Sequence, residues 1–109
     1  MSALKNISVR SSGSEKYRVP IIARLDPSLA VPVFNVTATT ATDPDVTWLD
    51  GAWENSYDPA TGRINGLTPT IGKSGSGIEV TEGITYLLWV KWVHDGEEIV
   101  RPVATMEAV

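Results

Sequence analysis

The sequence predicts an all-β fold, in the form of a sandwich or small barrel of about seven short antiparallel strands. Apolar and polar residues alternate with the period of two that is typical of a half-buried strand, and no window of eleven or more residues carries apolar residues at helical spacing. Seven prolines and nine glycines interrupt the 109 residues at intervals of roughly ten, as in sandwiches and small barrels. This length favours one domain, so residues 1–109 are expected to form a single β-sandwich.

Polar turns separate the first three predicted strands. The segment from Ser11 to Glu15 is polar and contains a glycine, which suits a tight connection between the first two strands. Asp26 and Pro27 form a pair that initiates turns, and Pro32 restricts any strand there to an edge or a strand start. The complete set of predicted strands is Leu4 to Arg10, Tyr17 to Leu25, Val31 to Thr39, Val46 to Trp53, Arg63 to Ile71, Ile84 to Val93 and Ile99 to Val109.

The fourth predicted strand carries two tryptophans, Trp48 and Trp53. Because their positions differ in parity, they point to opposite faces of a regular strand. Gly51 favours a bulge or turn between them, and one tryptophan is then expected inside while the other lies near an edge. The simpler interpretation is that both fill a small core.

Glycine-bearing segments separate the remaining strands. Asp58 and the proline that follows it open a turn that Gly62 closes. The segment from Gly72 to Gly83 contains four glycines and two serines, and it is expected to be a mobile loop that is either disordered or ordered by a partner. The dipeptide Asp95-Gly96 favours a type I′ turn and predicts a hairpin between the last two strands.

The run from Ile84 to Val93 has the strongest pattern in the chain. One face presents a continuous apolar stripe, formed by Tyr86, Leu88, Val90 and Trp92. The other face is also largely apolar, and it is formed by Leu87, Trp89, Lys91 and Val93. Either a second layer or a folded-back loop covers this second face, or Leu87 and Trp89 contact another subunit with Trp89 as the anchor. We predict that Trp92→Ala lowers stability by about 3 kcal/mol or more, as a large core truncation does, whereas Trp89→Ala mainly weakens assembly.

Composition and motifs argue against catalysis, cofactors, nucleic acid and membrane insertion. Nine Lys and Arg against thirteen Asp and Glu give a net charge of −4, which disfavours binding to phosphates. The chain has no cysteine, as expected of a protein made in a reducing cytoplasm, and its one histidine, His94, lies at the predicted hairpin tip as a solvated turn residue. The longest uncharged apolar stretch, Ile84 to Val90, is too short to cross a bilayer. We therefore expect no enzyme activity and no cofactor.

The sequence also bears on two other kinds of binding site, a calcium site and an aromatic platform for a sugar. Five acidic residues offer oxygen ligands but lack the regular spacing of a calcium loop, so a solvated acidic rim without a metal is expected at Asp43, Asp45, Asp50, Glu54 and Asp58. Aromatic side chains stack on sugar rings when two or three of them share an exposed face. The sequence leaves open whether Trp48, Trp53, Tyr57 and Trp89 share such a face.

The segment "EGITYLLWVKWVHDGEEIVRPVATMEAV" (Glu82 to Val109) resembles the last two strands of small immunoglobulin-like virion proteins of tailed phages, especially siphophages that infect actinobacteria. The matching positions are Gly83, Tyr86, Trp89, Asp95-Gly96, Pro102 and Val103. The Trp-rich segment "TWLDGAWEN" and the first strand "ISVR" also resemble that family. Two positions depart from its pattern: Tyr86 follows Gly83 by three residues instead of two, and Ala104 stands where a glycine is common.

The resemblance implies an immunoglobulin-like antiparallel β-sandwich that is a non-enzymatic structural protein of the virion head or head-to-tail region. Such a protein is made in the host cytoplasm and docks in many copies on capsid, portal-region or tail proteins through sheet edges and exposed aromatics. The expected contact residues are Leu87, Trp89, Trp53, Arg10, Lys16 and Arg18. Because related sandwiches have other functions, a bacterial module that binds carbohydrate or a cell-surface ligand is the alternative.

Charge is unevenly distributed along the chain. Five basic residues and one acidic residue lie between Met1 and Leu25, whereas the remainder has four basic and twelve acidic residues. A basic N-terminal part on an acidic body would dock on an acidic neighbour, such as another copy, with an affinity that falls as salt is added. The alternative is that strand pairing mixes these charges within one fold.

Overall fold

The computed structural model describes residues 4–40 and 47–109, and over these ranges the chain is all-β, as predicted, with eleven strands and no helix. The strands are β1 (Lys5–Val9), β2 (Ser14–Glu15), β3 (Arg18–Ile22), β4 (Val33–Ala38), β5 (Leu49–Asp50), β6 (Ala52–Trp53), β7 (Arg63–Leu67), β8 (Ile71–Gly72), β9 (Ile78–Glu79), β10 (Thr85–His94) and β11 (Glu97–Ala108). A search of the described residues for a helix of sufficient length and hydropathy to span a membrane finds none.

The strands form three sheets. The largest has the order β1-β11-β10-β4-β5, the second has the order β3-β7-β6, and a small third sheet has the order β2-β8-β9. The core lies between the first two sheets, whose buried side chains pack in one cluster. Phe34, Leu88 and Trp92 come from the five-stranded sheet, and Val19 and Ile64 come from the sheet opposite.

Each predicted strand overlaps an observed one, with differences in the middle of the chain. The fourth predicted strand breaks at Gly51 into β5 and β6, and its first residue, Val46, lies outside the described residues. The fifth ends at Leu67 and is followed by the separate strand β8. The short strands β2 and β9 were not predicted, because two residues are too few to show a periodicity.

The prediction that all strands pair antiparallel is wrong at the first strand and in the small sheet. β1 runs parallel to β11, with Lys5 opposite Ala104, and β8 runs parallel to β9. The segment from Ser11 to Glu15 therefore joins strands of different sheets and closes no hairpin. The Ser11 N–H and hydroxyl both donate to the Val109 carbonyl oxygen, at 2.8 and 2.9 Å, and so hold this segment against the end of β11.

Gly51 is the residue at which the chain passes from one facing sheet to the other. β5 pairs with β4 in the five-stranded sheet, whereas β6 pairs with β7 in the sheet opposite. A Cβ atom at Gly51 would lie 2.5 Å from the Leu67 carbonyl oxygen and would collide with the Phe34 ring. Only glycine fits this crossing, and the predicted break between Trp48 and Trp53 is confirmed.

The hairpin predicted at Asp95-Gly96 is confirmed. β10 ends at His94, β11 begins at Glu97, and these two residues pair with each other. Asp95 and Gly96 have φ angles of 51° and 77°, and positive φ at both central residues is what a type I′ turn requires.

The prediction of a mobile loop from Gly72 to Gly83 is wrong. Ile78 and Val80 are buried in the core, and the Ile78 N–H donates to the Thr70 carbonyl oxygen at 2.8 Å. The Ser76 hydroxyl is also buried and donates to the hydroxyl of Ser14 at 2.9 Å. The two aliphatic side chains of this segment anchor it, although glycines surround them.

Candidate interaction surfaces

Leu87 and Trp89 point away from the core, as predicted, but they are covered. Alternate side chains from Tyr86 to Trp92 pack in or against the core, so Leu87 and Trp89 occupy the outer face of the five-stranded sheet. Leu87 is 8% exposed and Trp89 is 6% exposed. The indole N–H of Trp89 donates to the Thr37 hydroxyl on the neighbouring strand at 2.8 Å, so the ring lies across β4. The exposed contact surface predicted at these two residues is therefore not found.

Trp53 is half-buried between the facing sheets, and Trp48 lies elsewhere. The Trp53 ring packs edge-on against Trp92, with centroids 5.9 Å apart, and its N–H donates to the Ala30 carbonyl oxygen at 2.8 Å. The Lys91 ammonium lies 4.8 Å from the centroid of the Trp48 ring. Lys91 and Trp92 are consecutive in β10 and point to opposite faces, so Trp48 and Trp53 lie on opposite sides of that sheet. These two rings do not form a shared platform for a sugar.

Arg10, Lys16 and Arg18 are exposed, and acidic residues accompany Lys16 and Arg18. Arg18 forms a two-point ion pair with Glu54, and its Nε donates to Oε2 at 2.8 Å. This hydrogen bond lowers the pKa of Glu54 and raises that of Arg18. Lys16 lines a cleft of about 260 Å³ that Asp50 also lines. At Arg18 and Lys16, the fold thus places basic N-terminal residues beside acidic residues from the middle of the chain.

The acidic residues of this run that the structure describes do not converge on a site. Glu54 belongs to the ion pair just described, and the Asp58 carboxylate accepts two hydrogen bonds within its own turn. Asp43 and Asp45 lie outside the described residues. In residues 4–40 and 47–109, no group of three His, Cys, Asp or Glu side chains is arranged to hold a metal ion.

A groove that the sequence did not indicate lies between the edges of the two facing sheets, where β3 and β11 come together. We call it the basic groove; its volume is about 280 Å³, and its lining includes Lys5, Arg63 and Arg101 together with the apolar residues Leu4, Ile22 and Val103. Among the described residues, no acidic side chain lines it. The Arg101 guanidinium crosses the groove, because it donates to the Ile22 carbonyl oxygen at 2.7 Å and lies 5.7 Å from the Trp92 ring centroid.

One end of the molecule, which we call the loop end, carries exposed apolar side chains. It is formed by the β3–β4 connection, the β6–β7 connection and the β10–β11 hairpin. The Ala23 N–H donates to the Gly62 carbonyl oxygen at 2.7 Å and ties the first two together. Leu29 is fully exposed at the tip of the β3–β4 connection, and Leu25 and Val31 are more than half exposed. Leu29 and Val31 follow the turn predicted at Asp26 and Pro27, and this position after a turn is the sequence signal for their exposure.

Comparison with protein-family models, with curated proteins and with solved structures found no match for this chain.

Proposed function

We propose that this chain is an immunoglobulin-like β-sandwich and a non-enzymatic structural protein of a tailed-phage virion. In this proposal it is made in the host cytoplasm, enters the virion in many copies, and docks on capsid, portal-region or tail proteins. The observation that carries the proposal is the strand connectivity, taken together with the resemblance of the last two strands to such virion proteins.

The connectivity of the six central strands fits an immunoglobulin-like sandwich. Such a sandwich places its second, fourth and fifth strands in one sheet and its third, sixth and seventh strands in the other. Here β3, β6 and β7 form one sheet, and β4, β10 and β11 lie together in the sheet opposite. The short strand β5 extends that second sheet beside β4, and β1 extends it beside β11.

Tyr86 gives independent support for this arrangement. Its hydroxyl accepts a hydrogen bond of 2.9 Å from the Thr81 N–H, five residues upstream. Immunoglobulin-like domains carry a comparable tyrosine near the start of the penultimate strand, and its hydroxyl bonds to the backbone a few residues upstream. The longer spacing between Gly83 and Tyr86 leaves room for the same contact.

The docking surface in this proposal differs from the one predicted from sequence. Leu87 and Trp89 are covered and Trp53 is half-buried, so these three side chains do not form an exposed contact patch. The loop end and the basic groove carry exposed apolar groups beside charged ones, a combination that favours binding to protein. Arg10 and Lys16 remain available for a polar rim.

Quantitative mass spectrometry of purified phage particles tests the proposal. The protein should remain with the particles through density-gradient purification, at a constant ratio to the portal protein. Binding of the purified monomer to a glycan array, combined with absence from the particles, would instead support the carbohydrate-binding alternative and overturn the proposal.

A further inference from the structure

We propose that this chain binds a second copy of itself head to tail, with Leu29 at the loop end of one copy seated in the basic groove of the next. The inference rests on the proposed function only for its setting, a multi-copy assembly, because its test uses the isolated chain. A chain that self-associates but is absent from virions would contradict the function alone. A virion protein that stays monomeric at every concentration would contradict the inference alone.

The basic groove suits an apolar side chain that is accompanied by negative charge. Lys5, Arg63 and Arg101 surround apolar walls that include Leu4 and Ile22, both of which are partly open to solvent. The volume of about 280 Å³ is slightly below the ~300–1,000 Å³ of typical small-molecule sites, so one or two side chains fill it. Positive potential in a groove without an acidic lining residue selects an acidic partner.

The edges of the groove favour a loop over an added strand. Pro20 in β3 and Pro102 in β11 line it, and neither has an N–H to donate to a neighbouring strand. The outward carbonyl of Ile22, which an added strand would use, already accepts a hydrogen bond from Arg101. Strand addition at this place is therefore blocked, which favours an occupant that presents side chains, such as a turn.

The loop end of the same chain presents such a turn. Leu29 is fully exposed, and the turn that carries it is closed by a hydrogen bond of 3.0 Å from the Ala30 N–H to the Pro27 carbonyl oxygen. The Ser28 N–H donates to the Asp26 carboxylate at 2.9 Å, which fixes a negative charge three residues from Leu29. Because the turn is already ordered, binding loses little conformational entropy.

The charge of the loop end is complementary to that of the groove. The β3–β4 connection carries one basic residue, Arg24, whereas the acidic residues of that connection and of the β10–β11 hairpin and its start are Asp26, Asp95, Glu97 and Glu98. Asp95 lies at the hairpin tip with its side chain 92% exposed; its carboxylate is 3.5 Å from the His94 imidazole and still faces solvent, where it can meet a guanidinium of another copy. Leu29 supplies the apolar contact with the groove, and these carboxylates orient the loop end toward the basic residues of the groove.

When one loop end binds one groove, the pair keeps a free groove on one copy and a free loop end on the other, so further copies can add to form rings or open chains. The isolated contact is small, and we expect it to form only at near-millimolar concentration. In a virion, multiple simultaneous contacts would make the same weak interaction effective.

Sedimentation velocity over a concentration series tests the contact. Wild-type protein should associate at high concentration in about 0.1 M salt and dissociate in about 1 M salt, since the Debye length falls from ~10 to ~3 Å. Leu29→Ser and Arg63→Glu should each weaken association by about ten- to a hundredfold, the effect of losing one buried aliphatic side chain or reversing one charge at the contact. Their matched controls, Val109→Ser and Lys73→Glu, change exposed residues at the opposite end of the molecule and should associate like wild type.

Mixing the two variants separates this model from other modes of association. Leu29→Ser keeps an intact groove and Arg63→Glu keeps an intact loop end, so an equimolar mixture should form a one-to-one dimer that cannot grow. Each variant should melt at the wild-type temperature, because neither side chain packs in the core. Monomeric wild-type protein at every concentration, undiminished association of both variants, or a mixture without dimer would overturn the inference.

Discussion

Replacement of Trp92 by alanine is the most demanding test of the core. Trp92 is 2% exposed, packs edge-on against Trp53 and lies under the Arg101 guanidinium, so the substitution empties the space between the two facing sheets. Substitution of a buried tryptophan by alanine costs about 3–5 kcal/mol. The substitution also removes the edge-on contact with Trp53, which is worth about 0.5–1.5 kcal/mol, so the loss should be about 4 kcal/mol or more. Since a domain has only about 5–15 kcal/mol of stability in total, we expect a loss near 4 kcal/mol to remove a large part of it.

Urea denaturation, monitored by far-ultraviolet circular dichroism, measures this loss of stability without relying on tryptophan fluorescence. Trp48→Ala is the matched control, because the Trp48 ring contacts the Lys91 ammonium on the outer face and should cost only about 1 kcal/mol. If Trp92→Ala proves too unstable to purify, Trp92→Phe keeps an aromatic edge toward Trp53 and should lie between the two. A loss for Trp92→Ala no larger than that for Trp48→Ala would refute this assignment of the core.

Three further substitutions test individual contacts. Gly51→Ala should cost about 1–3 kcal/mol in urea denaturation, because its Cβ would collide with the ring and the carbonyl described above; unchanged stability would show that the crossing has room. Thr37→Val should cost about 1–3 kcal/mol, because it leaves the nearly buried Trp89 indole N–H without an acceptor, whereas Thr37→Ser should retain most of the stability. Glu54→Gln removes a carboxylate whose pKa is lowered by the hydrogen bond to Arg18. Wild type should lose stability as the pH falls from above 4.5 through this lowered pKa, because the carboxylate becomes protonated, and the variant should lose less over the same range. Identical pH profiles of Tm for the two proteins would contradict this prediction.

The position of Trp89 changes what its substitution should report. The sequence alone predicts that Trp89→Ala mainly weakens assembly. With 6% exposure and a hydrogen bond to Thr37, Trp89 stabilises the outer face of the sheet, so we now expect the substitution to lower the free energy of unfolding as well. Self-association through Leu29 should be unaffected in any Trp89→Ala protein that still folds.

The features that the sequence predicted well depend on neighbouring residues. The hairpin at Asp95-Gly96 follows from the positive φ that both positions need, and the core face of β10 follows from strict alternation. The break near Gly51 was indicated by the parity of two tryptophans. In contrast, the glycine content of the segment from Gly72 to Gly83 predicts a mobile loop, whereas two buried aliphatic side chains hold this segment against the core.

By itself the sequence determined the all-β class, the approximate places of the main strands and the inward face of the longest apolar run, because strand periodicity and turn chemistry act over a few residues. Only the tertiary structure decided that β1 pairs with β11, that Gly51 lies at the crossing between the sheets, and that Leu87 and Trp89 are covered. These outcomes depend on which distant strands become neighbours, and no local pattern specifies that. The basic groove likewise exists only because folding brings Lys5, Arg63 and Arg101 together from three distant parts of the chain.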